Sequence, residues 1–231
     1  MKNSPVPFQF VTASYITQIE SNRATTLKEL RECIERSSDA AIFYHTYQTL
    51  GRHHFLTEGF SNDFAQWALT ALNQPQLAER LASIDIRDYV GIQEVRADLC
   101  KIINECCEAY PQVASQTAFE PFHFCRAIEV VHPLPWEART LAGFRAGLER
   151  LSHSSFYFHF IASRLRLQLQ TNDFSYWFSE SLGLDLLAAR ANRVDIYTNT
   201  LDTARAKLLR LVDRERRKNE HDSNPSQDSA R

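Results

Sequence analysis

Residues 62–67 read Asn-Asp-Phe-Ala-Gln-Trp, and residues 172–177 read Asn-Asp-Phe-Ser-Tyr-Trp. The correspondence extends in both directions. Downstream, Leu72, Leu77-Ala78 and Asp85-Ile86 fall on Leu182, Leu187-Ala188 and Asp195-Ile196 at the same offset. Farther on, Ile92, Arg96, Leu99 and Ile103 fall on Leu201, Arg205, Leu208 and Val212. Upstream, Pro7-Phe8-Gln9-Phe10 falls on Pro121-Phe122-His123-Phe124, Ala24, Leu27, Leu30 and Ile34 fall on Ala138, Leu141, Phe144 and Leu148, and residues 41–45 fall on 155–159. A match that long, interrupted only by short slips, reads as a tandem duplication. It predicts a first helical module over residues 1–110, a joint over 111–120 opened by Pro111, and a second module over 121–213. Residues 214–231 are polar, lack aromatic residues and are expected to form a disordered tail.

Each copy reads as helical. Thr26 with Glu29 forms a capping-box pattern ahead of Leu27, Leu30 and Ile34, which share one helical face. Aromatic segments over 39–54 and 154–170 exceed the usual length of a strand and are read as helices. Asp63 and Asp173 stand where an N-cap is wanted, with Asn62 and Asn172 as turn residues before them. Trp67 and Trp177 follow by four residues, close to one turn, so each indole is expected to pack in the core beneath its own Asn-Asp turn and to find a partner for its N–H. Only the openings PFQFV and PFHFC alternate like a short strand, and their prolines would confine them to an edge. The resulting expectation is an all-α bundle of nine or ten helices, its duplicated modules packed about a pseudo-twofold axis.

Composition excludes several function classes. With 26 Lys+Arg against 28 Asp+Glu there is no global positive field, so nucleic acid is not expected as a partner. No run of about 18 apolar residues suggests a membrane span and the opening residues do not read as a secretory signal, so a cytoplasmic location is expected. Five cysteines without CxxC spacing read as small buried hydrophobes rather than disulfides or a zinc ribbon. Neither GxGxxG, GxxxxGK[ST], HExxH nor GxSxG occurs, and six glycines leave little material for phosphate-cradling loops.

The doubled pattern FxF, FYxH, NDFxxW and LA, spread over residues 7–213, resembles a family of uncharacterised bacterial proteins known as a domain of unknown function. The resemblance implies a fold plan and no chemistry. In the family that this chain resembles, a histidine is common where it has Tyr47 and an acidic residue is common where it has Ala162; both departures remove possible metal ligands.

The candidate polar site consists of His45, His159, Asp63, Asp173, Asn62, Asn172, Arg96 and Arg205, since each residue has its counterpart in the other copy. Two imidazoles and two carboxylates could hold a metal ion such as iron or manganese on the twofold axis. Against this, helical carboxylate metal sites use Glu-x-x-His, whereas Ile42 and Phe156 stand three residues before His45 and His159. Arg96 and Arg205 lie on otherwise apolar helices and need carboxylates, for which Asp85, Asp195 or the capping aspartates are candidates. His53-His54 has no equivalent in the second copy and suggests an asymmetric loop.

Subtraction leaves a non-enzymatic helical adaptor or regulatory module that binds a partner protein or small ligand, or associates with itself. Its 15 Phe, 8 Tyr and 3 Trp supply apolar surface for a groove. No cofactor is expected under this reading. The alternative is a metal-binding enzyme or sensor with His45 and His159 as ligands.

Overall fold

A computed structural model describes residues 3–48, 60, 62–195 and 198–222. It corrects the all-α expectation: two long strands, β1 (Phe8–Ala24) and β2 (Phe122–Ala138), pair as an antiparallel two-stranded sheet, so the chain is α+β and not a helical bundle. Past their Phe-x-Phe openings both strands expose residues of either parity, which erases the alternation that marks a half-buried strand. The surviving signal is β-branched density, with Val11, Thr12, Ile16, Thr17 and Ile19 in β1 and Ile128, Val130 and Val131 in β2. Pro133 and Pro135 are two residues apart, so their missing donors lie on one edge of β2, where a ladder hydrogen bond is not required.

Between and after the strands lie α1 (Leu27–Arg36), α2 (Asp39–Phe43), α3 (Asp63–Thr70), α4 (Pro75–Ala82), α5 (Ile92–Ala109), α6 (Pro111–Ala114), α7 (Leu141–Arg150), α8 (His153–Tyr157), α9 (Ser163–Leu167), α10 (Asp173–Glu180), α11 (Asp185–Asn192) and α12 (Leu201–Asp222). Single π-helical turns, Tyr44–Gln48 and Phe158–Ala162, continue α2 and α8. The elements recur at the offsets of the sequence match: Phe8 and Phe122 open the strands, Leu27 and Leu141 open α1 and α7, and Asp63 and Asp173 open α3 and α10. The turn after α3 uses Asn73 at φ 54° and the turn after α10 uses Gly183 at φ 61°, two residue types that tolerate the left-handed region.

The chain divides into two compact units. One comprises Met1–Ser14, Val130–Leu167 and Thr171–Arg231; the other comprises Tyr15–Glu129 and Gln168–Gln170. The opening of β1 therefore belongs with the helices of the second copy, and the opening of β2 with those of the first. In the unit built on the first-copy helices, Ile92, Val95, Leu99, Ile103 and Cys106 form a buried stripe on α5, which packs against α1 through Leu27, Leu30 and Ile34. In the other unit α12 buries Ala204, Leu208 and Val212 and packs against α7, which buries Leu141, Phe144, Gly147 and Leu148.

The last helix continues through Asp222, beyond Arg214, where disorder was expected. Arg, Lys and Glu are good helix formers, and Arg216 pairs with Asp213 at 3.6 Å and Glu220 at 3.8 Å along the helix. His53 and His54 lie outside the described residues. Among the described residues no helix is long and apolar enough to cross a membrane.

Candidate functional site

The duplicated polar residues assemble two copies of one arrangement, one in each compact unit. Asn62 and Asn172, rather than the aspartates after them, are the N-caps of α3 and α10. Their side chains accept the backbone N–H of Ala65 at 2.8 Å and of Ser175 at 3.1 Å. Moving the cap one residue upstream puts Asp63 and Asp173 at the first helical position, where the carboxylates meet the positive helix end and are free to reach elsewhere. Both reach a histidine. His45 Nδ1 lies 2.8 Å from Asp63 Oδ2, and His159 Nδ1 lies 2.8 Å from Asp173 Oδ2.

The second nitrogen of each ring is also engaged. His45 Nε2 accepts the backbone N–H of Cys125 at 2.8 Å, and His159 Nε2 accepts that of Val11 at 3.0 Å. An amide N–H can only donate, so the lone pair resides on Nε2 and the proton on Nδ1, pointing at the aspartate. Both rings are buried, and burial pushes His159 below the ordinary histidine value. The Asp173 hydrogen bond and charge oppose that shift, while Arg166, 2.5 Å from Asp173, adds to it. With both nitrogens in use, neither imidazole has a lone pair to give a metal ion. Among the described residues, no group of three or more His, Cys, Asp and Glu gathers to hold one.

Both tryptophans are buried in the core and each indole N–H has a partner, as the sequence leads one to expect, but the partner lies far along the chain. Trp67 Nε1 donates to Glu120 O at 2.8 Å and Trp177 Nε1 donates to Val6 O at 3.0 Å, so each indole reads the backbone ahead of a strand instead of its own turn. The strand's phenylalanines enter an aromatic box. Phe8 packs on Phe144, His159, Phe174 and Trp177, with ring centroids 4.9–5.7 Å apart. Phe122 packs on His45 at 4.7 Å, Phe64 at 5.0 Å and Trp67 at 6.0 Å. A third backbone tether completes each site: Ser4 N–H to Arg139 O and Ala118 N–H to Thr25 O, both 2.7 Å.

Arg96 and Arg205 stand outside this arrangement. Arg96 donates to Asp39 Oδ1 at 2.6 Å and to Ile34 O; Arg205 donates to Asp202 Oδ1 at 2.7 Å and to Leu151 O at 2.6 Å. The carboxylates are therefore Asp39 and Asp202, not Asp85 or Asp195; Asp85 pairs with Arg87. Both arginines tie a long final helix to the end of the first helix of its copy, a structural task. Burial raises the thiols of Cys33, Cys100, Cys106 and Cys107, which keeps them protonated and weakly nucleophilic.

The strand-side partners are backbone atoms, so no side-chain motif could announce them. The one available sequence signal was that PFxF recurs at the offset of the histidines.

A family of unknown function, DUF5752, matches residues 5–213, and the chain belongs to that family. The solved structure of OrfY from Thermoproteus tenax is similar over 92% of this chain and 96% of that one, with 28% sequence identity and a TM-score of 0.80. No curated protein matches the chain.

Proposed function

We propose that the chain is a non-enzymatic binding module that holds a partner protein against its β-ribbon. Its duplicated polar side chains are spent internally: the histidines clasp backbone amides, the asparagines cap helices and the arginines join helix ends. None is left as a base or nucleophile facing a substrate.

The observation that carries the reading is the exposure of Ile16 and Ile19, 58% and 68%, in the middle of β1. Ile128, Val130 and Val131 of β2 are exposed as well. Exposed β-branched side chains along a strand offer an apolar surface to a partner, and strands that must stay unoccupied are ordinarily blunted by lysine or proline. β1 contains neither, whereas β2 carries Pro133 and Pro135. A partner protein laid on β1 would cover the isoleucines.

Both isoleucines point into solvent, so Ile16→Lys with Ile19→Lys leaves the fold intact. The test compares proteins captured from native cells by tagged wild type and by the double variant, quantified by mass spectrometry. A defined protein lost from the variant supports the reading; identical capture by both overturns it. Light scattering of both forms reports whether the partner is a second copy.

A further inference from the structure

The two clasps share more than their chemistry. In each, an indole donates to the carbonyl of one residue, phenylalanines follow two and four residues later, and a histidine accepts the amide five residues later. The positions are Val6, Phe8, Phe10 and Val11 in one unit and Glu120, Phe122, Phe124 and Cys125 in the other. The N–H two residues before that carbonyl, of Ser4 or Ala118, is held as well. What is read is therefore three backbone groups and two rings. Phe10 and Phe124 are fully buried, and Phe8 and Phe122 nearly so. The residue between each pair, Gln9 or His123, is exposed and differs between the strands. Val11 and Cys125 differ too, and only their amides are used.

Each helical set holds the strand that belongs to the other copy. His45 and Trp67 of the first copy grip the opening of β2, while His159 and Trp177 of the second grip the opening of β1. The two strand openings present the same groups at the same spacing, to receptors that differ where Leu30 and Cys33 stand against Phe144 and Gly147, and neither receptor has a chemical means of telling its present occupant from the same opening of another molecule.

We propose that each helical set is a recognition site for an extended Pro-Phe-x-Phe strand, filled within the chain by residues 4–11 and 118–125, and that it takes the same strand from a second copy of this chain. The site is separate from the exposed face of the ribbon, so the two proposals stand or fall independently. Occupancy within one chain competes with occupancy between chains, and a tethered strand holds an effective concentration of about millimolar. Exchange between molecules is therefore seen when the resident strand is weakened.

The test uses the full chain carrying Phe8→Ser and Phe10→Ser, with fluorescent peptides of residues 3–14 and 117–128 as probes. Both peptides are expected to bind this variant roughly a hundredfold tighter than wild type, whose own strand competes. A peptide with both phenylalanines replaced by serine is expected not to bind. If the variant alone loses structure, the 3–14 peptide is expected to restore its helical circular dichroism. If the peptides neither bind the variant nor restore its structure, the site is overturned. In a second arm, the variant is mixed with a full chain carrying His159→Ala and Trp177→Leu, whose strand is intact and whose receptor is not. A 1:1 complex on size exclusion with light scattering, absent from either alone, is expected. Peptide binding without that complex overturns occupancy by a second copy.

Discussion

His159 and Val11, 148 positions apart in the chain, meet through a 3.0 Å hydrogen bond in which the imidazole is the acceptor. The direction of that bond matters. A protonated ring would present a second N–H to the amide, and two donors facing each other repel.

Acidification is therefore expected to loosen the strand. Burial lowers His159 below its ordinary value, so between that depressed value and about 6.5 the unfolded chain binds a proton that the folded chain does not. The contribution is fully present above the unfolded value and is lost as pH falls through this window. Thermal midpoints measured from pH 8 to pH 5 should drop below about pH 6.5, and His159→Gln should be less stable at pH 8 and flatter across the window.

Gly147 tests the packing of the same strand. A Cβ there would lie 2.3 Å from Phe10 Cε2 and Cζ, a clash with a fully buried ring. Gly147→Ala is expected to destabilise by about 1–3 kcal/mol despite the better helix propensity of alanine. Gly143, on the same helix, has its nearest neighbour at 3.4 Å. Gly143→Ala is expected to be neutral or stabilising by up to about 1 kcal/mol. Urea denaturation of the pair, read by tryptophan fluorescence, separates the two outcomes.

The caps give a third measurement. Asn172 accepts the N–H of Ser175 and donates to Asn192 Oδ1 at 2.8 Å, while fully buried. Asn172→Ala should cost about 1–2 kcal/mol. Asn172→Asp keeps the acceptor and loses the donor, so it should fall between wild type and alanine in the same denaturation assay.

Chelation addresses the metal alternative. Because both nitrogens of His45 and of His159 are already hydrogen-bonded, dialysis against a chelator should leave the thermal midpoint unchanged. A fall of several degrees, restored by one divalent metal, would show that these side chains have a second arrangement.

The duplication was legible because its residues pack locally: the stripes of α1, α5 and α7 follow helical periodicity, and their offsets recur in the coordinates. The strands were harder to read. From Ser14 to Gln18 and from Arg126 to Val130 side chains of both parities are largely exposed or half-buried, so no alternation existed to be seen, and β-branched density was outweighed by the helical segments around it. The caps were misplaced by one residue because Asn and Asp are equally good caps, and the choice was made by His45 and His159, which need a carboxylate. The partners of Trp67 and Trp177 are carbonyls 53 and 171 positions away. Long separation and the absence of a side chain put such contacts beyond any local pattern.

The crossed ownership of the strands has an evolutionary corollary. A gene cut at the joint would not release two self-sufficient monomers, since each half encodes helices whose sealing strand comes from outside that half. Selection is then expected to act on each crossed pair as a unit, one half's phenylalanines together with the opposite half's histidine and tryptophan.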